Sequence, residues 1–214
     1  MDAQTLKAWR TQLRAQLIAR RLAAKLEDRT RWAGAIDGHI ETLLADVAGK
    51  IIAFCWPYQA EYDARSLILR FLARGAQAAL PVVVASRQPM VFRQWTPETR
   101  MATGVYDIPV PADSPEVIPD VALMPLAGFD DEGYRLGYGG GFFDRTLAVI
   151  EPRPMTVGVG FDLARVPTIY PQWHDIALDY VVTETGIRRR EAGGLVPTSP
   201  AAENAPQLTQ RPTP

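Results

Sequence analysis

Lys50-Ile51-Ile52-Ala53-Phe54-Cys55 is a short apolar run that ends at the proline-marked loop Trp56-Pro57-Tyr58-Gln59-Ala60-Glu61-Tyr62-Asp63. Residues 64–74 follow at helical spacing, Gly75 stops them, and residues 78–84 form a second apolar run. Runs of this length and composition read as strands buried on both faces, and a segment closed by glycine reads as a helix. Strand, helix and strand make a βαβ unit. That unit sets the fold class: an α/β protein of three α/β/α layers with a mainly parallel central sheet, binding its ligands in a crevice at the strand ends.

Working outward, residues 91–95, 120–126, 155–161 and 179–184 read as further strands. Residues 96–119 form a proline-rich connector containing Gly104-Val105-Tyr106-Asp107-Ile108-Pro109, and connectors of this length in compact domains are often functional. Towards the N-terminus, residues 5–31 contain neither Gly nor Pro and place Leu6, Trp9, Leu13 and Leu17 at helical spacing. They predict one long helix, with a second near 32–47. At 100° per residue Arg10, Arg14 and Arg21 fall in one narrow sector beside the apolar stripe. For a basic helix the ordinary reading of such a row is a solvated face.

The densest chemical signal is Tyr134-Arg135-Leu136-Gly137-Tyr138-Gly139-Gly140-Gly141-Phe142-Phe143-Asp144-Arg145-Thr146-Leu147, with four glycines in five positions. Glycine admits positive φ and lets backbone N–H groups approach a ligand closely. Residues 142–150 carry an amphipathic helical pattern, so the loop feeds a helix start, where unpaired N–H groups favour an anion. Asp144 beside a phosphate requires a cation between the two, and Mg2+ fits. Neither general phosphate motif is present: no lysine or hydroxyl follows Gly141, and Phe142 stands where a dinucleotide fingerprint needs glycine. A tight glycine turn with Asp144 at a helix start is the ordinary reading, but it explains neither the flanking Arg135 and Arg145 nor the unusual glycine density.

Composition narrows the partners. With a net charge of −1 and 22% charged residues among 214, no global field points to nucleic acid or an anionic membrane. Cys55 is the single cysteine, which excludes an internal disulfide and a cysteine-built zinc site; it reads as a buried core thiol. No apolar stretch reaches signal-peptide or membrane length, so the expectation is a cytoplasmic protein acting on small molecules. One domain spans 1–190, and 191–214, rich in Pro, Ala, Ser, Thr and Gln, reads as a disordered tail.

The run Arg135 to Arg145, with Met124-Pro125-Leu126-Ala127-Gly128-Phe129-Asp130 before it and His174-Asp175-Ile176-Ala177-Leu178-Asp179 after it, resembles the 5-formyltetrahydrofolate cyclo-ligase family over about residues 5–184. The resemblance implies ATP- and Mg2+-dependent conversion of 5-formyltetrahydrofolate to 5,10-methenyltetrahydrofolate, with release of ADP and phosphate. It implies ATP contacts from Arg10, Arg14, Arg135, Leu136, Gly137, Tyr138, Gly139, Gly140, Gly141, Phe142, Phe143 and Arg145. Folate contacts come from Tyr58 and Asp63, with Glu61 as a close alternative, and from Tyr138 to Phe142 along the glycine loop. Asp144 and Asp175 would hold Mg2+; Arg14, Arg135 and Asp144 would act in catalysis, and His174 is left structural. The implied state is a monomer or weak homodimer, with no nucleic-acid or membrane partner.

The chain departs from the family pattern where Arg10 replaces a lysine, where Phe142 and Phe143 replace a common Tyr-Tyr, and at Gly140, where many relatives carry lysine. Arginine keeps the charge at position 10 but exchanges a compact ammonium for a broad fork. These departures leave open a second reading, a diverged nucleotide- or folate-binding paralogue without turnover.

Overall fold

The computed structural model describes residues 1–198. In chain order the elements are α1 (Ala3–Ala23), α2 (Leu26–Leu43), β1 (Ile51–Ala53), α3 (Arg65–Ala73), β2 (Gln77–Val82), β3 (Val91–Trp95), β4 (Met101–Thr103), β5 (Pro109–Pro111), β6 (Glu116–Val117), β7 (Val121–Pro125), β8 (Gly128–Asp130) and β9 (Arg135–Leu136). They continue with α4 (Phe142–Leu147), β10 (Met155–Val159), β11 (Arg165–Val166), β12 (Tyr180–Thr183), β13 (Gly186–Glu191) and β14 (Gly194–Pro197).

Nine strands form the central sheet in the order β14-β13-β12-β10-β7-β1-β2-β3-β6. The five strands from β12 to β2 are parallel, and antiparallel strands extend both flanks. Val121 to Met124 and Tyr180 to Thr183 are buried at every position, as strands covered on two faces must be. On one face Ile36 and Ile40 of α2 pack with Leu67, Ile68 and Phe71 of α3 over Ile52, Leu80 and Val182. On the other, Leu147 of α4 and Phe129 of the small β11-β8-β9 sheet cover Ala79, Met124 and Val181. This is the α/β architecture expected from the βαβ unit. No helix among the described residues is long and apolar enough to cross a membrane.

Two boundaries differ from expectation. The single helix over 5–31 breaks at Ala24 and Lys25, both extended (ψ 135° and 147°). Leu17 of α1 packs against Leu136 and Ile169, while α2 lies in the core across the sheet; one straight helix cannot serve both. Residues 191–198, expected in the tail, are instead tied to the sheet: β14 pairs with β13 and Thr198 N donates to the Ile187 carbonyl at 3.0 Å. Pro197 is tolerated there because β14 is an edge strand, where a missing N–H need not break a ladder. The rest of the expected tail lies outside the described residues.

Candidate active site

Three loops meet over the carboxyl ends of the parallel strands and line an open pocket. The loop after β1 brings Trp56, Tyr58 and Glu61; the glycine loop brings Gly137, Tyr138 and Gly140; the turn before β5 brings Val105 and Tyr106. Arg135 and Asp144 stand in the same wall. The pocket therefore has an aromatic end and a charged end.

At the aromatic end the Tyr58 ring meets Tyr138 edge-on at 5.6 Å and Tyr106 at 6.4 Å. Glu61 lies beneath them. Its Oε1 accepts the Tyr138 hydroxyl at 2.6 Å and its Oε2 the Tyr58 N–H at 3.0 Å. Burial pushes the Glu61 pKa above its ordinary value, opposed by the bonds from Tyr138 and Tyr58 and by the charge of Arg21. The Cys55 thiol in the same wall is pushed up by burial and then by Glu61, so it stays neutral and is no nucleophile.

Glu61 and Asp63 do not share a face. Gln59 and Ala60 adopt positive φ (47° and 60°), and Glu61 N donates to the Tyr58 carbonyl at 3.1 Å, so the segment turns between Tyr58 and Glu61. Glu61 swings into the pocket. Asp63 stays exposed and binds Arg65 at 2.6 Å, away from the pocket where a folate contact was expected of it.

At the charged end the glycine loop is held from outside. Arg14 Nε donates to the Gly137 carbonyl at 2.5 Å, Arg145 donates to the Gly140 carbonyl and lies over the Phe142 ring at 5.5 Å. Gly139 and Gly141 sit at φ +91° and +62°, conformations that L side chains rarely adopt. The Arg14 pKa is held below its ordinary value by burial and then by Arg10. Arg135, almost fully buried, pairs with Asp144 Oδ1 at 2.9 Å, donates to the Ile176 carbonyl at 3.0 Å and lies 5.6 Å from the Phe143 ring.

The two carboxylates expected at a cation are brought together by one residue: Ile176 N, next to Asp175 in sequence, donates to Asp144 Oδ1 at 3.1 Å. Asp175 Oδ2 accepts Arg10 Nη2 at 2.6 Å and Gln172 N at 2.7 Å. In each carboxylate the bonds to the protein fall on one oxygen. His174 Nε2 is 3.9 Å from Asp175 Oδ1, too long for a hydrogen bond. Among the described residues no group of three or more His, Cys, Asp or Glu could hold a metal.

Leu136 of β9 is buried against Leu17 of α1 and Ile169, so its backbone alone is left for a ligand. Tyr106 in the pocket wall and Arg21 behind it were not singled out as site residues in the sequence. Tyr106 lies in the proline-rich connector, whose length was its signal. Arg21 shares its helix sector with Arg10 and Arg14 and is buried under Tyr138.

The 5-formyltetrahydrofolate cyclo-ligase family model matches residues 6–184. A 5-formyltetrahydrofolate cyclo-ligase of Escherichia coli strain K12 is 31% identical over 148 residues, covering 66% of this chain and 81% of that protein. One from Mycolicibacterium smegmatis is 29% identical over 182 residues, covering 81% of this chain and 93% of its own length. The solution structure of the Aquifex aeolicus 5,10-methenyltetrahydrofolate synthetase superposes with a TM-score of 0.74 at 25% identity, over 91% of this chain and 99% of that one. With the match covering most of its length, the chain belongs to the 5-formyltetrahydrofolate cyclo-ligase family.

Proposed function

We propose that the protein converts 5-formyltetrahydrofolate to 5,10-methenyltetrahydrofolate at the expense of ATP, with Mg2+, in this pocket. The observation that carries the reading is the pocket's two-ended chemistry: an aromatic end with a buried carboxylate lies next to a glycine loop flanked by arginines and two carboxylates. The pterin ring stacks among Tyr58, Tyr106 and Tyr138, and ionised Glu61 accepts from its N–H groups. ATP phosphates lie along the glycine loop, clamped by Arg14, Arg135, Arg10 and Arg145.

A formamide carbonyl is a poor electrophile and its oxygen a poor leaving group. In the reaction we infer, the formyl oxygen attacks the γ-phosphorus, the bridging β–γ oxygen bond breaks, and ADP departs, leaving an iminium phosphate. N10 then attacks the formyl carbon and loses its proton to solvent, and the carbon–oxygen bond breaks to expel phosphate and leave the methenyl amidinium. Both nucleophiles belong to the folate, so no side chain need act as general base. The protein positions the two substrates and neutralises charge, as phosphoryl transfer requires.

The residues fit a magnesium ion. Asp144 Oδ1 and Asp175 Oδ2 receive the protein's donors, which leaves Asp144 Oδ2 and Asp175 Oδ1 for a cation that needs one or two carboxylates with phosphate oxygens and water. Bound there, Mg2+ would draw negative charge from the phosphates. Arg135 and Arg10 fix the orientation of the two carboxylates. We read the working unit as a monomer or weak homodimer acting on small molecules in the cytoplasm.

The route of the formyl oxygen tests the chemistry. With 18O in the formyl group, the released phosphate carries the label; label retained in the folate or lost to water contradicts phosphorylation of that oxygen.

A further inference from the structure

Arg21 is only 3% exposed, and three of its nitrogens donate to three separate loops. Nε bonds the Gln59 carbonyl at 3.0 Å, Nη1 the Leu126 carbonyl at 3.1 Å, and Nη2 the Tyr138 hydroxyl at 2.9 Å. The carboxylate it faces is Glu61, 3.9 Å away. Burying a guanidinium is unfavourable unless its bonds are well made, and an apolar side chain of similar volume often stabilises a core as well or better. Stability alone therefore does not account for an arginine here.

Its acceptors do. Gln59 belongs to the loop at the folate end, Leu126 directly follows β7, and Tyr138 is the side chain that the glycine loop sends towards the folate end. The Tyr138 hydroxyl accepts from Arg21 and donates to Glu61, whose other oxygen takes Tyr58 N. An unbroken hydrogen-bond chain thus runs from the loop that would grip the pterin to the loop that would grip the phosphates. Two turns earlier on the same helix, Arg14 holds the Gly137 carbonyl. A ligand that draws Glu61 towards its own N–H groups pulls on Tyr138, between Gly137 and Gly139. A ligand that orders those glycines fixes Glu61 in return.

Resting on the two-substrate reading above, we propose that Arg21 is a positioning residue that couples the two ends of the pocket through Tyr138 and Glu61, so that folate and nucleotide each tighten the binding of the other. Such coupling is reciprocal and commonly 5- to 150-fold, about.

The test is calorimetry on the full chain with Mg2+ and a non-hydrolysable ATP analogue, and with 5-formyltetrahydrofolate, each titrated alone and in the presence of the other. The quantity read is the ratio of the two affinities within one variant, so a uniform loss of affinity cancels. In the wild type the ratio is expected to be about tenfold or more. In Tyr138→Phe, which removes a single oxygen, it falls to about twofold or less, and Arg21→Lys lies between the two. If Arg21→Lys fails to fold, Tyr138→Phe decides. A purely structural role for Arg21 would lower melting temperature and leave the ratio intact, which overturns the proposal. A wild type that makes product yet binds the two ligands independently overturns this proposal alone; one that binds no 5-formyltetrahydrofolate overturns it together with the assigned reaction.

Discussion

Arg10 Nη2 lies 2.6 Å from Asp175 Oδ2, so a cation expected at ATP is bonded to a carboxylate expected at Mg2+. The arginine fork makes this possible: Nε and Nη2 also donate to the Ile169 and Tyr170 carbonyls at 3.1 and 2.9 Å, three acceptors that a lysine ammonium at that position cannot serve in one plane. On the proposed reading, Arg10→Lys loosens the fork that orients Asp175 towards the metal. Half-saturating Mg2+ is expected to rise at least about twofold in the variant, while KM for ATP changes by about a few-fold. An unchanged Mg2+ dependence would separate Asp175 from the metal.

Glu61 carries a pH signature with two opposite signs. Its folded-state pKa is raised by burial, so its ionisation opposes folding. Its contribution to stability is greatest at acid pH, where the carboxyl is protonated, and is lost as pH rises through the raised value. On the proposed reading, folate binding needs the ionised acceptor and so weakens as pH falls through the same value. The acid limb of kcat/KM for the folate is expected above the ordinary glutamate range and absent in Glu61→Gln. A limb at the ordinary value, or one that survives in the variant, contradicts the role.

Asp63 supplies the contrast. It is exposed and paired with Arg65, and surface pairs of this kind contribute about 0–1 kcal/mol. Asp63→Asn is expected to leave KM for the folate within about twofold and to shift the melting temperature by no more than about 4 °C. A loss of folate affinity of tenfold would return Asp63 to the site.

Glycines in the loop differ in what they need. Gly141 sits at φ +62° and ψ 21°, so alanine there costs about 1–2 kcal/mol of backbone strain. An added Cβ at Gly137 meets nothing within 4 Å, and its φ is not positive. Thermal unfolding is expected to show Gly141→Ala clearly destabilised and Gly137→Ala close to wild type. Equal losses would mean that the loop's backbone conformation is not what the glycines serve.

The βαβ unit was legible because short runs such as 50–55 and 78–84 have one stable place, inside a covered parallel sheet. The glycine loop was legible because four glycines in five positions have no cheaper explanation. Less could be read where tertiary contacts overrule local pattern. Nothing in Ala24-Lys25 marks a break; the break follows from Leu17 and Ile36 packing into different cores. The inward turn of Glu61 depends on positive φ at Gln59 and Ala60, which neither residue type signals. Arg21 stood visibly in a row with Arg10 and Arg14, but its burial was set by Tyr138, 117 positions away in the chain.

The most direct test of the central claim is the near-ultraviolet absorbance of the methenyl product, followed with ATP, Mg2+ and 5-formyltetrahydrofolate in wild type and Asp144→Asn side by side. The account predicts product that requires ATP and a kcat at least about 100-fold lower in the variant, the scale on which electrostatic support of a transition state is lost. No product from wild-type protein that still binds ATP, or a variant as fast as wild type, would contradict it.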